Sequence, residues 1–265
     1  VALRDKATTA IREAPEKPKG YLQLGDVLLQ QGREETLRAR QTERLADAVK
    51  NYTAALTLCE KEDPNKELPE VYFIRCKAFL ERGFHTTDRA EQKEFFTKAL
   101  EDAEAAIQAK YAQLDYAYLA KGIALEDLAY YAGEKARYPE AVAAFTEAIK
   151  LNKDQPKYYI DRGRCEYKWG VWGGEQDQLV RAREDLEEAL LRNVSPTTLE
   201  KVEACYWLGN SYWWQKPADY AQADKYFSAL SVWLQSENIA KARFRSRPFA
   251  RSDEIRRNLA ETERR

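Results

Sequence analysis

Five segments of this 265-residue chain carry the same pattern of side-chain sizes in the same order, and that recurrence limits the possible folds more than any other feature. Each segment places a small residue, then a large or small one four positions on, then another small or aliphatic one three further. They are Ala48/Tyr52/Ala55, Ala99/Ala103/Ala106, Ala141/Phe145/Ala148, Ala182/Leu186/Ala189 and Ala223/Phe227/Leu230, with starts 51, 42, 41 and 41 residues apart. A second pattern precedes each: Tyr21/Leu24/Gly25/Leu28, Tyr72/Arg75/Cys76/Phe79, Tyr118/Lys121/Gly122/Leu125, Tyr159/Arg162/Gly163/Glu166 and Cys205/Leu208/Gly209/Tyr212.

Spacings of three and four put these residues on one stripe of a helix, and no segment alternates in the manner of a strand, so the chain is read as all-helical. Prolines and glycines punctuate it into roughly a dozen helices, several with a capping oxygen just ahead, as at Ser195-Pro196 and Thr87-Asp88. Each pair of patterns then forms an αα-hairpin in which the Gly or Cys of the first helix admits the second closely. One hairpin cannot bury its own apolar stripe, whereas five stacked hairpins form a continuous core. The expected architecture is a right-handed α-α superhelix, a solenoid of stacked helical hairpins.

Tyr-Leu-Gln-Leu-Gly at 21–25, Ala-Val-Ala-Ala-Phe-Thr-Glu-Ala at 141–148 and Cys-Tyr-Trp-Leu-Gly-Asn-Ser-Tyr at 205–212 resemble tetratricopeptide repeats. The resemblance covers about residues 17–236. The period here, 41–51 residues, exceeds the 34 of that family. The excess falls between the two helices of each pair, so either the helices are lengthened or the joints between them are enlarged.

Composition excludes several functions. With 43 Lys and Arg against 44 Asp and Glu, the net charge of −1 provides no whole-chain basic field for nucleic acid. A single histidine, His85, cannot build a multi-histidine metal centre and is read as a surface or cap residue. Cys59, Cys76, Cys165 and Cys205 are widely separated and are expected as buried free thiols in a reducing, cytoplasmic setting. No apolar run is long enough to span a membrane, so no membrane partner is expected. The absence of Met, initiator included, points to a piece of a longer protein or a trimmed one.

Catalytic signatures are missing. No phosphate-binding glycine loop, nucleophile elbow or zinc-protease helix occurs, and Gly173-Gly174 reads as a turn. The acidic neighbours Glu126-Asp127 and Glu187-Glu188 are expected on solvated helix faces. No cofactor and no metal are expected, and the chain is read as a non-enzyme.

Recognition of another protein is what the resemblance implies, because the first helices of successive tetratricopeptide repeats line a groove that takes a peptide or helix. The residues expected there are Leu22, Phe73, Ile74, Lys77, Leu119, Ile123, Ile160, Asp161, Arg164, Tyr206, Trp207 and Asn210, continuing to Trp213 and Trp214. Apolar anchoring is assigned to Tyr206, Trp207 and Trp214, and polar contacts to Asp161 and Arg164. Leu22 and Asp26 stand where a carboxylate-clamping family member would place Lys and Asn, so no such clamp is expected. All six tryptophans lie between 169 and 233; Trp169 and Trp233 are assigned to packing, while Trp207, Trp213 and Trp214 cannot all point inward from one helix.

The ends differ from the middle. Residues 1–16 are expected as a linker or short helix. Residues 237–265 carry nine basic and five acidic side chains and are expected as a polar capping helix. Two other readings stay open: a helical-hairpin carbohydrate-active enzyme using Trp platforms and paired carboxylates, and an anionic-partner or nucleic-acid binder acting through that basic segment.

Overall fold

The computed structural model describes residues 2–62, 68–191 and 198–236; the expected basic cap at 237–265 lies outside them. Among the described residues there are eleven α-helices and no strand. The chain groups into two units, Val1–Glu134 and Lys135–Arg265. The boundary falls between the two segments of the third repeat pair.

Unit 1 contains α1 (Ala2–Glu13), α2 (Pro18–Glu34), α3 (Arg38–Glu62), α4 (Leu68–His85), α5 (Arg89–Gln108) and α6 (Leu114–Tyr131). Hairpins α2–α3 and α4–α5 stack through α3 and α4, and α6 packs on α5. The expected linker or short helix at the start is helical: α1 lies on α2, with Ala7 buried and Ile11 against Gly20. Unit 2 contains α7 (Tyr138–Leu151), α8 (Pro156–Lys168), α9 (Gln178–Leu191), α10 (Thr198–Trp214) and α11 (Tyr220–Ser236). Here α8–α9 and α10–α11 are the hairpins, α7 packs on α8, and α9 packs on α10.

The long period has a definite origin. In unit 1 the helices themselves are extended: α3 runs 25 residues and α5 runs 20, while only residues 35–37 and 86–88 join the members of each hairpin. Asp88 caps α5 by accepting from the Glu91 amide at 2.9 Å. In unit 2, α8 continues into a π-helical turn, Trp169–Gly173, which ends at Gly174 with φ 94°.

Close helix crossing explains the small positions. A Cβ on Gly25 would stand 2.5 Å from the Tyr52 ring, one on Gly209 2.5 Å from Phe227, and one on Gly163 2.8 Å from Leu186. A second contact follows seven residues later in the first helix, two turns on: Gly32 meets Leu45, Gly83 meets Phe96 and Gly170 meets Leu179. Hairpins α2–α3 and α8–α9 are therefore closed at two levels, and the second level accounts for part of the added helix length. The ring or branched side chain of the second helix occupies the space that the first helix leaves open.

Two charged pairs depart from expectation. Glu126 and Asp127 are buried on α6, not solvated, and Glu187 is half-buried and accepts the Tyr226 hydroxyl at 2.9 Å. His85 ends α4, as a cap residue would, but its ring is largely buried, 3.7 Å from Glu81. All four cysteines are free and buried.

Candidate functional site

In unit 1 the first-helix face is carried by α2, α4 and α6. Phe73 and Ile74 on α4 and Leu119 and Ile123 on α6 are half-buried, an intermediate exposure that leaves apolar surface within reach of a partner. Leu22 is also half-buried, but it packs against the cluster of Ala55, Leu56, Cys59 and Val71. Phe73 stacks on Tyr111 at 4.8 Å, which fixes its ring. Arg33 on α2 donates through both Nε and Nη2 to Glu81 Oε1 on α4, at 3.1 and 3.0 Å, and so sets the spacing of these two helices.

Lys77 stands between these features. Its ammonium lies 5.5 Å from the Phe73 ring centre, and no carboxylate among the described residues comes within ion-pair distance of it. Burial, together with the Arg33 charge, holds its pKa below the usual lysine value. An anionic group placed there would offset both effects by its charge.

The corresponding face of unit 2 is closed. Lys157 on α8 reaches Asp161 at 2.7 Å and Glu203 on α10 at 3.3 Å, and Arg164 binds the same two carboxylates, with 3.3 Å to Glu203. Burial disfavours the Lys157 charge, but Asp161 and Glu203 outweigh it and keep the ammonium above its ordinary pKa. Asp161 and Arg164, expected to meet a partner, are thus buried and committed to one another and to Glu203. Ile160, Tyr206, Trp207 and Asn210 are buried as well. Trp207 packs on Tyr167 at 5.2 Å and on Tyr206 at 4.8 Å, and Asn210 donates back to the Tyr206 carbonyl at 2.8 Å. The three clustered tryptophans divide: Trp207 points inward, Trp213 is half-buried edge-on to Tyr220 at 5.1 Å, and Trp214 is 49% exposed. Trp169 is half-buried and packs on Gly173; the Trp233 side chain lies outside the described residues.

A pair of arginine clamps escaped the sequence reading. Arg75 donates to both carboxylate oxygens of Asp102 at 2.8 and 2.7 Å and reaches the Thr53 hydroxyl at 3.4 Å. Arg162 donates to both oxygens of Asp185 at 2.6 Å and to the Thr146 hydroxyl at 3.0 Å. Each arginine directly precedes the small position of its helix, each aspartate lies three residues after the first alanine of the following helix, and each threonine belongs to the preceding second helix. The signal was present in the sequence as a repeated Arg, Asp and Thr register, visible once the five segments are aligned on polar as well as apolar positions. The clamps join three successive helices, and in both the carboxylate's bonds outweigh the effect of burial and keep the guanidinium pKa high.

The chemistry available is that of contact surfaces. Among the described residues no three His, Cys, Asp or Glu side chains gather to hold a metal, and no helix is long and apolar enough to cross a membrane. A shallow cavity of about 550 Å³ beside Arg38, Thr42, His85, Thr86 and Thr87 has no carboxylate in its lining. The carboxyl pair Glu166 and Asp185 is buried within unit 2.

No protein-family model and no curated protein matches the sequence. Among solved structures, the chain is similar to TTC0263, a thermophilic TPR protein in Thermus thermophilus, with TM-score 0.54 and 16% identity over 90% of this chain and 98% of that one. It is also similar to YrrB, a TPR protein with an unusual peptide-binding site, with TM-score 0.48 and 17% identity over 88% of this chain and 94% of that one. The fold is that of stacked tetratricopeptide-like helical hairpins.

Proposed function

From the tetratricopeptide-like fold of this chain we infer a non-catalytic scaffold that binds a segment of another protein on the first-helix face of unit 1. The observation that carries this reading is Lys77, a half-buried ammonium over the Phe73 ring and without a carboxylate partner among the described residues, on the same helix as the half-buried Phe73 and Ile74. A partner segment that places an Asp or Glu side chain beside apolar ones complements both features. Desolvated charge pairing and aromatic burial are the contacts that dominate interface energies. Unit 2 offers Trp213 and Trp214 as a separate accessible aromatic contact.

A displayed library of random short peptides, panned on the full chain, tests the reading. Enriched peptides are expected to combine Asp or Glu with apolar residues. Phe73→Ala and Lys77→Gln should each weaken binding of an enriched peptide by about tenfold to thirtyfold, the range of a hot-spot contact. Binding by both variants as tight as that of the wild type, at unchanged helicity, would overturn the assignment.

A further inference from the structure

Glu166 is out of keeping with its place in the fold. It follows Gly163 by three residues on α8, and the residues at the same register in other first helices are Leu28, Phe79 and Leu125, buried and apolar, and the half-buried Tyr212. Glu166 is buried too, with only 4% of its surface exposed, and so is Asp185 on the neighbouring α9, at 7%. Two buried carboxyl groups therefore flank one arginine, since Arg162 binds Asp185 one turn before Glu166.

The cations around them are too few. Arg162, one turn back on α8, gives Nε to one oxygen of Asp185 and Nη2 to the other, and its Nη1 goes to Thr146 on α7. Arg181, the other cation facing Glu166, is on the exposed side of α9. One oxygen of Glu166, Oε2, is buried and has no hydrogen-bond partner among the described residues. An isolated carboxylate enclosed in this way loses hydration that nothing replaces, and a proton removes that cost. The proton also turns two repelling acceptors into a donor and an acceptor.

We propose that Glu166 is held as the neutral acid in the folded α8–α9 hairpin, donating to Asp185, and that its ionisation is a built-in switch that loosens this hairpin. The groups facing it from the packed helices are Arg162 on α8 and Asp185 and Arg181 on α9. Burial, and then the Asp185 charge, push the Glu166 carboxyl up to about 8. In the unfolded chain it ionises in the ordinary glutamate range near 4.5. Unfolding between these limits releases a proton. Stability therefore falls as pH rises through that window and levels off above about 8. The sister hairpin α4–α5 has Phe79 in the same place, and burial there raises only the clamp's own carboxyl, Asp102.

The test uses the full chain and two variants, Glu166→Gln, neutral and nearly isosteric, and Glu166→Leu, the residue found at two sister positions. In protein carrying ¹³C-labelled glutamate carboxyls, the resonance absent from Glu166→Gln should sit at the protonated position at neutral pH and titrate near 8. A resonance already ionised in the ordinary acidic range overturns the proposal. The thermal midpoint of the wild type should drop by about 5 °C relative to Glu166→Gln between mildly acidic solution and about pH 8. Parallel curves for the two proteins overturn it. Amide exchange at about pH 9, compared with Glu166→Gln at the same pH, should be faster in α8 and α9 and equal in α4 and α5. A uniform difference along the chain would instead assign the effect to global stability and overturn the local switch. Should Glu166→Leu fail to fold, the comparison with Glu166→Gln decides the matter unaided.

Discussion

Hairpins α4–α5 and α8–α9 are built on the same clamp and differ one turn further along. In α4–α5, Arg75 holds Asp102 and the next buried position is Phe79; in α8–α9, Arg162 holds Asp185 and the next is Glu166. The second levels of closure differ as well, since Gly83 receives the flat ring of Phe96 and Gly170 the branched side chain of Leu179. An arginine clamp fixes the register of three helices in either setting. What stands beside the clamp differs, an aromatic ring in one hairpin and a second buried carboxyl in the other.

Removing the carboxylate separates the two most sharply. Asp102→Ala leaves Arg75 part-buried and without its partner, with an expected loss of about 3–5 kcal/mol in chemical denaturation. Asp185→Ala should cost less, about 1–3 kcal/mol, because Glu166 can ionise and take over the Arg162 guanidinium. Equal losses would show that Glu166 does not reach that role. The glycine levels come next. Gly83→Ala forces a Cβ into the rigid Phe96 ring and should destabilise by about 2–3 kcal/mol, whereas Gly170→Ala meets the more adaptable Leu179 and should cost about 1 kcal/mol, both read from unfolding midpoints. Replacing Glu166 with Leu should stabilise the protein at neutral pH by about 1 kcal/mol or more, making α8–α9 resemble its sister. The smallest effect is Asp88→Ala, which removes the cap of α5 alone and should lower stability by about 1 kcal/mol or somewhat less, with α5 showing faster amide exchange at its first turn.

Partner binding separates two other regions. The face of unit 1 leaves Lys77 unpaired among the described residues, whereas in unit 2 Lys157 and Arg164 are both held by Asp161 and Glu203. Charge removal at Lys77 should therefore alter peptide recognition and leave the fold intact. Charge removal at Arg164 should instead destabilise unit 2, because it strands two buried carboxylates with Lys157 alone. Circular dichroism with the peptide-binding measurement distinguishes these outcomes.

The stacked all-helical architecture was legible from the alanine, glycine and aromatic register, because helix crossing depends on side-chain volume at fixed spacing and volume is written directly in residue type. Tyr52 against Gly25 and Phe227 against Gly209 are the physical form of that pattern. The candidate face was legible only in part. Phe73, Ile74, Lys77, Leu119 and Ile123 keep accessible surface, yet Tyr206, Trp207, Asp161 and Arg164 are enclosed. Helical spacing assigns a residue to a face; it does not say whether the neighbouring helix covers that face.

Sequence alone determined which residues meet within a hairpin, because those contacts repeat at short range and follow from size and periodicity. Only the tertiary structure decided which charges are matched. Lys157 pairs with Glu203 and Arg75 with Asp102 across separate helices, Lys77 is left over, and Glu166 is buried beside an Arg162 whose bonds go to Asp185 and Thr146. Ionisation and pairing depend on local hydration and on distances between chain segments far apart in sequence, and a near-neutral total of 43 basic and 44 acidic residues carries none of that information.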